Sequence, residues 1–307
     1  MAPPRGATSG IALMLLGVAV YAWMDGLVKW LSATYPTIQL VLFRCVFGFV
    51  PVAVVVLRGR SLGALRTTRP LAHLVRSMAT LGALWGFFVA FAHMPLADAY
   101  AIGFAAPLLI TALSVPMLGE RVGVRRWSAV VAGFVGVLIM LRPGAGVMEP
   151  AALIALGATV CYALTMIFIR QLSRTETDAA IVFYPMLAIA AVSAALVPPV
   201  WVAPGALDLA LLAAVGVLGG IGQLLLTAAF RRAEVALLTP FEYSAMLWAT
   251  GIGWLVWGDV PGLHIWVGVA IVAASGIYVV LREARVRDEV TVAPVRGAGA
   301  VGPVEPP

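Results

Sequence analysis

The second half of this chain repeats the first, and each half holds an odd number of apolar stretches long enough to cross a bilayer. Residues Phe91, Ala97, Ala106, Leu108, Thr111, Gly119, Glu120, Gly123 and Trp127 return 139 places later as Phe230, Ala236, Ala245, Leu247, Thr250, Gly258, Asp259, Gly262 and Trp266. With a one-residue slip the match runs on from Gly136 and Leu141-Arg142 to Gly276 and Leu281-Arg282. The starts of the halves align at an offset of 141, Tyr21 with Tyr162, Lys29 with Arg170 and Leu31 with Leu172. Five spans per copy force the two copies to insert upside down relative to each other. Inverted repeats build a site at their interface that can open to either side of a membrane.

Apolar residues make up 62% of the 307 and charged residues only 11%. A soluble fold with that balance could not cover itself with polar groups. About 20 residues span a bilayer as a helix. Ten stretches qualify, near 9–31, 37–57, 71–92, 96–117, 126–141, 150–172, 179–199, 206–229, 235–257 and 263–282. The expected fold is therefore all-α and integral to the membrane, with ten transmembrane helices in two inverted five-helix repeats. The repeats cover 9–142 and 150–282, joined by Arg142-Pro-Gly-Ala-Gly-Val-Met-Glu-Pro150, and residues 290–307 read as a disordered cytoplasmic tail.

A net charge of +6 could suggest nucleic acid, but the placement of the arginines argues against it. Arg58, Arg60, Arg66 and Arg69 follow span 2; Arg121, Arg125 and Arg126 follow span 4; Arg170 and Arg174 close span 6. Arg231 and Arg232 close span 8, Arg282, Arg285, Arg287 and Arg296 follow span 10, and Arg5 precedes span 1. The opposite side has only Arg142 in a loop, with Lys29 just inside its edge. Cationic loops stay cytoplasmic, so both termini are expected inside a multi-pass protein of the inner (plasma) membrane. The first span lacks a cleavage pattern and carries Asp25 and Lys29, unlike a signal peptide. Cys45 and Cys161 sit mid-membrane on different spans, where packing is the expected role. Small residues in spans 5 and 10, among them Gly133, Gly136, Gly268 and Gly276, suit a scaffold or dimer contact better than a cavity lining.

Met24-Asp-Gly-Leu-Val-Lys-Trp-Leu31 followed by Ile38-Gln-Leu-Val-Leu-Phe-Arg44 resembles the start of an EamA-type permease of the drug/metabolite transporter superfamily. Pro107, the run Leu118-Gly-Glu-Arg-Val-Gly-Val-Arg-Arg-Trp127, Pro240-Phe-Glu-Tyr243, Trp257-Gly-Asp259 and Ser275-Gly-Ile-Tyr278 continue the likeness over nearly the whole chain. The resemblance implies two five-helix repeats around a central cavity and transport of small metabolites. Members handle amino acids, riboflavin, S-adenosylmethionine and other compounds, so the family does not name the substrate.

An ionisable group at the centre of a membrane helix costs roughly 2.5–3.5 kcal/mol on insertion scales and needs a reason. Asp25 and Lys29, four apart, share one face of the first helix, and Arg44 lies about 10 Å into the second. The three are expected to form one buried cluster, either as a structural lock or with Arg44 or Lys29 holding a substrate carboxylate. Glu242 follows Pro240, which frees the carbonyl of Ala236. Broken helices with freed carbonyls are where carriers place substrates and ions. Glu242 therefore binds a cationic group, carries a coupling proton, or partners an arginine. Trp23, Trp85, Tyr100, Tyr162, Gln223, Tyr243 and Trp248 fall on helices that line the cavity in the family resembled, and each competes with a packing or interface role. Asp98 reads as an N-terminal cap of the fourth span and Glu120 as a loop fixture.

An enzyme would need convergent chemistry, yet His73, His93 and His264 are not spaced for a metal pair and no nucleophile elbow is present. A channel would show polar rings or a filter. No cofactor is called for. The expected function is secondary transport by alternating access, most simply export of amino acids or related zwitterions, by a monomer or homodimer with possible proton coupling. The alternative substrate is a flat aromatic or nucleoside-like molecule, riboflavin or S-adenosylmethionine, stacked on tryptophan and tyrosine.

Overall fold

The computed structural model describes residues 7–58, 67–120, 122–142, 150–173 and 175–292, and every regular element among them is helical. The first half holds α1 (Ala7–Leu31), α2 (Thr37–Arg58), α3 (Pro70–His93), α4 (Leu96–Gly103), α5 (Ala106–Leu118) and α6 (Val124–Leu141). The second holds α7 (Pro150–Leu172), α8 (Asp178–Leu196), α9 (Ala206–Phe230), α10 (Val235–Glu242), α11 (Ala245–Trp257) and α12 (Leu263–Val292). Seven helical spans are long and apolar enough to cross a membrane, the α4–α5 pair counting as one, and two shorter apolar helices lie at 37–51 and 180–196.

Local chemistry sets the boundaries. Proline opens α3 and α7, where its missing N–H costs nothing and its fixed φ suits the first turn. Thr177 caps α8 by accepting from the Ala180 N–H. α5 and α11 stop on glycines in the left-handed conformation, Gly119 (φ 69°) and Gly258 (φ 73°). The amides closing these two ends are equivalent: Glu120 N to Ser114 O and Asp259 N to Gly253 O. Only glycine takes that φ without a Cβ clash, so both copies turn out of the helix by the same device.

Two single spans expected near 96–117 and 235–257 are each broken in two. Neither break falls at its proline. The chain leaves the helix at Phe104–Ala105 and Tyr243–Ser244, three residues before Pro107 and three after Pro240. Pro107 instead starts α5, and Pro240 lies inside α10. α12 runs on to Val292, so the first residues of the expected disordered tail are helical; 293–307 lie outside the described residues. So do the joining segment 143–149 and Arg5, Arg60, Arg66, Arg121, Arg174 and Arg296. The N-cap of α4 is Pro95, with Asp98 in the first turn, where the helix dipole still favours a carboxylate.

Packing crosses between the halves. α1 lies along α9 and α3 along α7; α1 also meets α10 and α11, as α7 meets α4 and α5. The crossing of α6 and α12 brings backbone against backbone: a Cβ on Gly136 would sit 2.9 Å from Gly268 O, and one on Gly268 2.8 Å from Gly136 O. The small-residue faces of these spans thus serve a contact within the chain. Cys45 and Cys161 are free.

Side chains fasten the elbows. Between α1 and α2, Tyr35 Oη donates to Asp208 Oδ2 at 2.7 Å, at the start of α9. Gln39 Nε2 donates to Val202 O at 2.7 Å while its Oε1 accepts from Val202 N at 3.0 Å. Between α7 and α8, Glu176 Oε1 accepts from both the N and Oγ1 of Thr68 at 3.1 Å, just before α3.

Candidate functional site

Polar side chains from both halves converge where α1, α2, α4, α7, α9 and α10 meet. Asp25 on α1 is buried and accepts from Tyr100 Oη of α4 at 2.6 Å. The Arg44 guanidinium on α2 interacts with both Asp25 and Tyr21. Arg44 lies over Gly219 of α9, where a Cβ would come within 3.4 Å of Nε. Its Nε is buried without a hydrogen-bond partner. One turn before Asp25, Tyr21 Oη donates to Gln223 Oε1 at 3.1 Å, across to α9.

Glu242, on the last turn of α10, has Tyr162 of α7 and its neighbour Tyr243 as electrostatic partners. Tyr162 also interacts electrostatically with Tyr21. The Tyr243 hydroxyl is buried and unpartnered. An aromatic file flanks the charges. Phe91 and Tyr100 stack with centroids 6.0 Å apart, Tyr100 and Phe104 lie at 6.4 Å, and Phe104 and Tyr243 at 4.8 Å. Hydrogen-bonding capacity left open beside a carboxylate, a guanidinium and ring faces is the chemistry of a site for a small polar molecule. An open, largely apolar depression of about 490 Å³ at the start of α3, lined by Thr68, Arg69, Leu71, Val75 and Phe168, has no carboxylate in its lining.

Most of the expected residues are brought together here: Asp25, Arg44, Tyr100, Tyr162, Gln223, Glu242 and Tyr243. Lys29 is not. The expected cluster of Asp25, Lys29 and Arg44 is split, because Lys29 Nζ reaches outward to Asp259 Oδ2 at 2.9 Å and Met94 O at 3.1 Å, over the Trp257 ring at 4.9 Å. A long flexible side chain at a helix end takes the nearest carboxylate, and Asp259 stands there at the end of α11. Trp85 is 44% exposed on α3 and joins none of these contacts; Trp23 and Trp248 are likewise exposed, at 52% and 41%. Glu120, expected as a loop fixture, pairs with Arg170 at 2.6 Å. Tyr21 and Phe104 were not expected in the site. Their repeat positions, Tyr162 and Tyr243, carried the signal.

The profile of the EamA-like transporter family matches this chain twice, over residues 8–142 and 149–282. The chain is 33% identical over 274 residues to the pseudopaline exporter CntI of Pseudomonas aeruginosa, covering 87% of this chain and 94% of that one. It is 26% identical to the riboflavin transporter of Rhizobium johnstonii (92% and 94% covered) and 24% identical to the S-adenosylmethionine uptake transporter of Rickettsia prowazekii (90% and 93% covered). A solved crystal structure superposes with a TM-score of 0.61 at 22% identity, over 91% of this chain and 99% of that one, and shows the shared fold.

Proposed function

Because the chain belongs to the EamA-like transporter family, and is thus a multi-pass membrane transporter and not an enzyme, we propose that it is a secondary carrier working by alternating access. Its ten spans form two inverted repeats, 9–142 and 150–282, with both termini cytoplasmic in the inner membrane. The helix bounds support this reading: α4 and α5 recur as α10 and α11 at an offset of 139, and the start of α2 recurs as that of α8 at 141. The swapped packing of α1 on α9 and α3 on α7 is what a pseudo-twofold axis in the membrane plane produces.

The preferred substrate is an amino acid or related zwitterion, moved outward. The observation that carries this is the half-buried Arg44, whose buried Nε has no partner, on one side and the Glu242 carboxylate on the other. Arg44 holds the substrate carboxylate, Glu242 faces its ammonium group, and Tyr100 keeps Asp25 from taking all of Arg44's charge. Export agrees with the activity named for the pseudopaline exporter. The file Phe91–Tyr100–Phe104–Tyr243 favours a second reading, a substrate with a flat ring such as riboflavin or S-adenosylmethionine. Efflux from loaded vesicles under an imposed pH gradient tests both: zwitterions leaving faster than flavins support the first, and the reverse order supports the second.

A further inference from the structure

We propose that Lys29–Asp259 and Arg170–Glu120 are the two gate latches of this carrier, each holding one half-helix, α11 or α5, over one mouth of the site. The proposal rests on the alternating-access reading above.

Lys29 and Arg170 are repeat positions, at an offset of 141, and so are Glu120 and Asp259, at 139. The structure pairs them crosswise. The cation of the first half bonds the acid of the second at 2.9 Å, and the cation of the second bonds the acid of the first at 2.6 Å. Nothing about local sequence forces that exchange; two separate surface pairs would not share both partners by symmetry. In the inverted arrangement the pairs stand at opposite faces of the bilayer, because α1 and α7 end on opposite sides.

Each pair also bridges the boundary between an elbow and the end of a half-helix, which at the Arg170 face is crossed as well by Gln171 Nε2 donating to Met117 O at 3.3 Å. At the Lys29 face, Tyr35–Asp208 and Gln39–Val202 bind the α1–α2 elbow to the start of α9. At the Arg170 face, Glu176–Thr68 binds the α7–α8 elbow to the start of α3. Tyr35 and Glu176 are themselves repeat positions, at an offset of 141. Each elbow is therefore one body, and the latch runs from it to the end of α11 or α5. Those half-helices start just past the breaks at Tyr243–Ser244 and Phe104–Ala105, where the amides of Ser244 and Ala105 bond three residues back, to Phe241 and Ile102, in tight turns. Such a break can absorb a swing.

The latches differ in strength. The Lys29 and Asp259 side chains are 12% and 29% exposed and Lys29 has two further contacts, whereas the Arg170 side chain is 48% exposed. Less screening makes the Lys29 latch the harder to open.

The test needs no substrate. A cysteine replaces Gln223 as reporter, with Cys45 and Cys161 changed to alanine, and an impermeant maleimide is applied from either face of oriented vesicles. Asp259→Asn is expected to speed labelling from the Lys29 face by about two- to fivefold and not from the other; Glu120→Gln is expected to do the converse, with a smaller change. The swapped variant K29D/D259K is expected to return labelling to the starting rate, which also covers the case where Asp259→Asn fails to fold. Unchanged labelling in both single variants, or equal changes at both faces, overturns the latch assignment while leaving the carrier intact. A reporter reached from neither face in any variant overturns the alternating-access reading itself.

Discussion

The rings of Phe104 and Tyr243 meet with centroids 4.8 Å apart, and the two residues occupy the same position in the two halves, 139 places apart. Equivalent residues of a twofold repeat can touch only near its axis. Both also cap a short half-helix, α4 and α10, at the break before the next. The pair therefore marks the centre of the molecule, where two interrupted helices lean on each other beside the charged site.

Removing that contact should loosen the centre. Phe104→Ala is expected to lower stability by about 3 kcal/mol, the usual range for a truncated packed phenylalanine, read as a lower melting temperature in detergent. Tyr243→Phe keeps the ring and deletes a buried hydroxyl that lacks a partner, so it is expected to leave the melting temperature unchanged or raise it.

Arg44 is the group proposed to hold a substrate carboxylate. Arg44→Gln is expected to cut transport at least tenfold while the protein still reaches the membrane, as loss of a charge-assisted hydrogen bond would. A charge-swapped D25R/R44D variant that transports at the parental rate would show instead that the pair only locks α1 to α2.

Glu242 is proposed to face the substrate's cationic group, and a coupling proton on the same carboxylate is an expectation that can be tested separately. Glu242→Gln is expected to flatten the pH dependence of flux in vesicles with an imposed gradient. A pH dependence identical to that of the parent would remove the coupling role and leave substrate contact.

Much of this was legible beforehand, for reasons particular residues make plain. The offsets of 139 and 141 located equivalent helices, and Glu242 stood out as a carboxylate two residues past a proline in an apolar run. The partner of Lys29 was not legible. An i, i+4 neighbour such as Asp25 is visible along one helix, whereas Asp259 is 230 residues away and depends on how the halves dock. The breaks were also hidden. Proline marks where an amide is missing, but the helix ends where two halves must cross, and no local signal at Phe104 or Tyr243 reports that.

The crossing of α6 and α12 should be intolerant of bulk. Gly136→Ala places a methyl 2.9 Å from a backbone oxygen that cannot move aside. A loss of about 1–3 kcal/mol is expected, seen in thermal unfolding, with no change in which substrates are recognised.

The last helix is longer than the lipid requires. At 1.5 Å per residue, the 30 residues of α12 reach about 45 Å, against roughly 30 Å of hydrocarbon. Its final turns therefore reach past the length that crosses the hydrocarbon. Since α12 is pressed backbone to backbone on α6, under the proposed alternating-access reading this extension would travel with that pair and not with the half-helices α5 and α11.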